Sequence, residues 1–130
     1  MSTIFTKIIK GEIPSYKVAE NNDFYAFLDI NPNAKGHTLV VPKREVNKLF
    51  DLTEDEYLGL MKFSRKIAKA MENVFDCDRI GMAVIGLEVS HVHVHLIPLN
   101  KMEDIQFEKK VKLSEEEFKT TAKQIANNIK

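Results

Sequence analysis

The sequence predicts an α+β fold: a mainly antiparallel sheet with helices packed on one side. Three observations carry this. Short stretches rich in β-branched and aromatic residues are separated by turn residues. Two longer stretches keep helical spacing, and each opens with a capping box. The order is strands, helix, strands, helix, with connections short enough for hairpins.

Tyr16 to Glu20 reads as a strand, Asn21-Asn22-Asp23 as a turn, and Phe24 to Ile30 as the returning strand. In that second strand Phe24, Ala26, Leu28 and Ile30 share one face, and Tyr25, Phe27 and Asp29 share the other. Asn31 to Gly36 is loop, with Pro32 and Gly36 as breakers. His37 to Val41 is a third strand, closed by Pro42. Thr53 is then an N-cap with Glu56 at N3, and Leu52 and Tyr57 stand at hydrophobic-staple positions. Tyr57, Leu60, Met61, Ile67, Ala68, Met71, Val74 and Phe75 keep helical spacing to about Phe75. Arg79 to Ile85 and Val89 to Ile97 read as two further strands around Gly86. Leu113, the cap Ser114, Glu117 and Phe118 repeat the staple and box, and Ala122, Ile125 and Ile129 continue the stripe. Nothing marks a repeat or linker, so residues 1–130 read as a single domain.

Composition narrows the partners. The formal net charge is zero with histidine neutral, which gives no broad electrostatic footprint for nucleic acid. No apolar run is long enough for a membrane span, and the first residues lack the apolar core of a signal peptide. A single cysteine, Cys77, excludes an intrachain disulfide, and nothing near it in sequence would activate it as a nucleophile. A cytoplasmic location is expected.

The chemistry gathers at His91, His93 and His95, three of the four histidines. In an extended strand their imidazoles share one face, while Val92, Val94 and Leu96 share the other. Clustered imidazoles repel one another when protonated and bury poorly without partners. Two readings stand at this point. The cluster could bind a metal through neutral rings. It could instead work on phosphate, with a nucleophile, an acid and orienting groups.

The run His91-Val92-His93-Val94-His95-Leu96-Ile97 resembles the signature of the histidine triad (HIT) family. Ile4 to Pro14, Phe27 to Pro32 and Gly36 to Lys43 are similar to other family blocks, in order, so that the resemblance covers roughly residues 3 to 99. It implies a HIT-like fold, a five-stranded antiparallel sheet with two helices, and a homodimer joined in part through the long helix. It also implies a nucleotide-binding hydrolase that cleaves a bond at the α-phosphate of a purine nucleotide derivative, such as a phosphoramidate. Other branches of the family act on dinucleoside polyphosphates or transfer nucleotidyl groups.

Carried over residue by residue, the resemblance makes His93 the nucleophile, with its second ring nitrogen donating to a backbone carbonyl. His95 and His37 would hydrogen-bond phosphate oxygens, and His91 would support the pocket. Asp29 would accept from ribose hydroxyls. Ile4, Phe5, Phe27, Ile30 and Leu39 are candidates for the apolar slot around the base. Gly86 and the backbone N–H of Val89 would reach phosphate oxygens.

Two departures matter. Many members carry two cysteines and a further histidine that hold zinc together with the first triad histidine. Here Thr3, Thr6 and Glu45 stand near those positions, a poor tetrahedral set, so no structural zinc or other cofactor is expected. Before the triad, Gly86-Leu87-Glu88-Val89 replaces a Gly-Gln-Ser/Thr-Val stretch. Leu87 cannot donate to phosphate. Glu88 would repel phosphate, or would assist an amine leaving group if protonated. These two residues favour, as the rival reading, a nucleotide-binding signalling module with little catalysis.

Overall fold

The structure, a computed structural model, describes residues 2–130. Five antiparallel strands form one sheet in the order β1-β2-β3-β5-β4. They are β1 (Lys17–Glu20), β2 (Phe24–Leu28), β3 (Thr38–Pro42), β4 (Arg79–Val84) and β5 (Val94–Leu99). The helices are α1 (Ile4–Ile9), α2 (Glu54–Val74) and α3 (Glu115–Asn127). Both expected capping boxes are formed, at Thr53 with Glu56 and at Ser114 with Glu117.

The two faces of the sheet carry different loads. Phe24, Ala26, Leu28, Val40, Val92, Val94 and Leu96 point towards α2 and α3 and join Leu60, Ile67, Met71 and Ile125 in the main core. Full burial of side chains this size stabilises by about 1.5–3 kcal/mol each. The opposite face packs Tyr25, Phe27, Leu39 and Val41 against Phe5 and Ile8 of α1. Helices therefore cover both faces, not one. The six residues of α1 are too few for a legible period, and its remaining signal is the cap, Thr3, whose hydroxyl accepts from the Thr6 N–H. Inside the main core, the hydroxyls of Ser64 and Thr121 are buried without a hydrogen-bond partner among the described residues.

Strand boundaries shift where partners run out. The ladder between β4 and β5 ends at Val84 opposite Val94, so residues 89–93 lie outside the strand. His91 and His93 thus precede β5, yet the alternation persists: Val92 stays on the core side, and its N–H donates to the Val46 carbonyl at 2.8 Å. At the other end of the site β2 stops at Leu28, opposite Thr38. One more bond, from the Asp29 N–H to the His37 carbonyl, follows at 2.9 Å before the chain turns. Ile30 falls beyond that bond and is 71% exposed. The third strand begins one residue late, at Thr38, and takes in Pro42.

Gly36 makes the sharp entry into β3. It has φ +95°, and a Cβ there would be driven into the ring of Phe75. Gly11 also has positive φ, +80°, but open space around it. Gly36→Ala is expected to destabilise the fold by about 2 kcal/mol or more, through backbone strain plus overpacking, and Gly11→Ala by about 1 kcal/mol, through strain alone. Urea unfolding of the two variants measures the difference; equal losses would contradict the packing account.

Candidate active site

A cavity of about 460 Å³ opens on the α1 side of the sheet, within the usual range for small-molecule sites. Its floor comes from the ladder. Leu39 of β3 pairs with His95 of β5, so both side chains rise from the same face. His93 stands beside His95, with ring centroids 4.9 Å apart. Phe5 of α1 meets His93 edge-on at 5.0 Å. The loop from Ile85 to Val89 forms one wall, and Phe107 and Lys110 form another.

Hydrogen bonds determine the proton positions. The Asn33 N–H donates to His37 Nδ1 at 2.9 Å. A neutral ring accepting at one nitrogen carries its proton on the other. His37 Nε2–H therefore donates to His95 Nδ1, 2.9 Å away. By the same rule His95 bears its proton on Nε2. His93 is fixed separately: its Nδ1–H donates to the His91 carbonyl at 2.7 Å, which leaves the lone pair on Nε2. This is the carbonyl bond that the family resemblance implied. His91 itself faces away, its Nε2–H donating to the Pro42 carbonyl at 2.8 Å. Its Nδ1 then accepts from the Thr3 hydroxyl at 2.8 Å.

Burial favours the neutral form of His37, His95 and His91. It pushes His37 down to about 3, with His95, Lys110 and His93 adding to the fall. It pushes His95 down to about 4, aided by His93 and Lys110. His91 is lowered too, chiefly by burial. Asp29 is raised by burial, against the Asn31 N–H that donates to its Oδ1 at 2.9 Å. Its Oδ2 lies 3.6 Å from His37 Nε2. Because His37 is neutral, that contact is not an ion pair.

Two clusters invite a metal, and neither fits one. Asp29, His37 and His95 offer ligand atoms within 4.8 Å of one another. But the two ring nitrogens share a proton at 2.9 Å, and Asn33 keeps that proton in place. Thr3, Thr6, Glu45 and His91 do converge as their sequence positions suggested. Glu45 accepts from the Thr3 N–H at 2.8 Å and from the Thr6 hydroxyl at 2.7 Å. Two hydroxyls, one carboxylate and one ring satisfy each other by hydrogen bonds, and hydroxyls are poor zinc ligands.

Of the residues expected at the site, His93, His95, Asp29, Phe5, Leu39, Gly86, Glu88 and Val89 line the cavity, as does Ile4. His37 and His91 lie beneath it, fully buried. Phe27 is core under Phe5, with ring centroids 5.6 Å apart. Ile30 does not line the cavity; it lies past the end of β2, in solvent. Leu87 is 90% exposed at the rim. Asn31, Asn33, Phe107 and Lys110 were not singled out by sequence. Phe107 packs edge-on against His95 at 4.8 Å. It lies in a run of charged residues with no period, so nothing local marks it.

Known proteins match this chain in sequence and in fold. A family model described as the HIT domain matches residues 10–102. The adenosine 5'-monophosphoramidase of Saccharomyces cerevisiae is 44% identical over 96 residues; the match takes in 73% of this chain and 61% of the yeast protein. An uncharacterized HIT-like protein of Borreliella burgdorferi is 38% identical, with 97% of each chain covered. Among solved structures, a Hit-like protein from Bartonella henselae superposes with a TM-score of 0.85 at 35% identity, covering 98% of this chain and 96% of that one.

The depressed histidines predict an acid-sensitive fold. An unfolded histidine titrates near 6.5, whereas His37 and His95 titrate near 3 and 4 when folded. Their contribution is complete above pH 6.5 and is lost as the pH falls towards those values, because the unfolded chain binds the protons. The unfolding free energy should drop between pH 7 and 5, by about 1.4 kcal/mol per pH unit for each proton taken up. His91 adds to the drop, and Asp29, shifted upward, opposes it at the acid end. Urea midpoints across this range measure the slope; a flat profile would mean that the rings charge while folded.

Proposed function

Because this chain belongs to the HIT domain family, we propose that it is a nucleotide hydrolase that cleaves the phosphorus–nitrogen bond of a purine nucleoside phosphoramidate through a nucleotidyl–His93 intermediate. The observation that carries the reading is the His93 ring. Its Nδ1–H is engaged by the His91 carbonyl, and it lines an open cavity. The name of the yeast relative supports the substrate class.

The lone pair of His93 Nε2 attacks phosphorus. A nitrogen–phosphorus bond forms as the bond to the departing amine breaks, and that electron pair leaves with the amine nitrogen, which takes up a proton. Water then attacks phosphorus, and the electron pair of the His93 bond returns to the ring. Over the cycle water supplies the oxygen on phosphorus and the proton on the amine. Covalent catalysis divides one hard displacement into two easier ones. His95 Nε2–H is the donor available to a phosphate oxygen, in a site where such a bond strengthens as charge builds. His37 acts through His95 by holding its tautomer. His91 positions His93 through its carbonyl. Asp29 is the acceptor for ribose hydroxyls, and Phe5 and Leu39 supply apolar surface for the base.

The same reading takes the whole chain as one HIT domain, cytoplasmic and homodimeric. The continuous core beneath the sheet supports a single unit. No helix among the described residues is long and apolar enough to cross a membrane. Exposed Leu58 on α2 and Met82 on the edge strand β4 offer apolar surface to a second copy. Light scattering measures that state, with a mass of twice 14.9 kDa expected.

Turnover of adenosine phosphoramidate, lysyl-adenylate and diadenosine polyphosphates identifies the branch. Wild-type protein should hydrolyse the phosphoramidate and, when quenched, carry the added mass of one nucleotidyl group. His93→Ala should lose that mass and at least about 1,000-fold in rate. Tight nucleotide binding without turnover of any of these would replace the enzyme by a binding module.

A further inference from the structure

We propose that Lys110 is the cation that receives the negative charge of the substrate phosphate, an inference that rests on the nucleotide reading and adds to it a residue beyond the matched region. Lys110 is the one lysine or arginine among the described residues that line the cavity. The other charged groups there, Asp29 and Glu88, are carboxylates. The rings of His37 and His95 are neutral, so they bring no positive charge to the cavity. A nucleotide entering this cavity would otherwise bring its anionic phosphate against two carboxylates.

The lysine is held in place. Its Nζ donates to Asn33 Oδ1 at 2.7 Å and stands 4.9 Å from the centroid of the Phe107 ring. Asn33 is buried, and its side-chain N–H group donates to the Asp104 carbonyl at 3.1 Å. The next residue, Val111, donates its N–H to the Pro32 carbonyl at 3.0 Å. The loop that fixes the His37 tautomer thus also aims the lysine. Asn33 Oδ1 is a neutral partner, so the ammonium charge is not cancelled, and two of its three donors remain for a ligand. Its field reaches Asp29 and His95, which line the cavity, and His37 beneath them. A charge-assisted hydrogen bond to phosphate is about twice as strong as a neutral one.

Calorimetric titration with AMP and with adenosine separates phosphate binding from a structural role. Lys110→Met should weaken AMP about 10-fold or more and leave adenosine within about twofold, since only AMP carries the phosphate. Lys110→Arg should keep most of the AMP affinity. If Lys110→Met retains the wild-type preference for AMP, or weakens both ligands equally, the inference is wrong while the nucleotide reading stands. If wild-type protein itself does not prefer AMP, the reading of the cavity as a nucleotide phosphate site falls, and the role of Lys110 with it.

Discussion

The hydrogen bond from the Asn33 N–H to His37 Nδ1 sets the proton positions of the paired rings His37 and His95. A backbone amide cannot accept, so the ring must, and its proton is forced to the far nitrogen. From there the assignment passes to His95 without ambiguity. One amide in a loop thereby decides which atoms of two buried rings donate and which accept. Burial reinforces it, because a second proton on either ring would put a charge where water cannot solvate it. His93 obeys the same logic with a carbonyl in place of the amide. The ring that the chemistry needs unprotonated at Nε2 is the one whose other nitrogen faces an obligatory acceptor.

This arrangement is possible because the sheet is two-sided in function as well as in packing. The α2–α3 side holds the larger core, with Leu60, Ile67 and Met71 fully buried. That leaves the other face free to be half core and half cavity. Phe5 shows the compromise: it packs on Phe27, closes over His91, and presents an edge to His93. The network of Thr3, Thr6 and Glu45 ties this helix to His91 by hydrogen bonds alone.

Much of this was legible in the chain. Five strands, two capped helices, the two-faced patterns of Phe24 to Asp29 and Val92 to Leu96, and the family blocks all follow from local periodicity and motif. What was not legible depends on contacts between distant segments. The first histidines read as strand because their alternation is strand-like, but only the ladder, which ends at Val84 opposite Val94, decides where pairing stops. Ile30 entered the apolar slot only through the resemblance; β2 ends at Leu28, and Ile30 lies exposed beyond it. The helix α1 is too short to show a period, and Phe107 and Lys110 sit among charged residues with no motif of their own. Asn33 looked like any loop asparagine, since its amide direction is a property of the folded turn.

The cavity draws its floor and its sides from different kinds of structure. His93 and His95 are anchored at the head of a five-stranded ladder, whereas Ile85 to Val89 and Phe107 to Lys110 are connecting segments. Loops tolerate replacement far better than ladders do. Exchange of the rim residues can therefore retune which molecules enter without disturbing where the protons reside. A lineage built on this scaffold can drift in diet while its reactive apparatus stays intact.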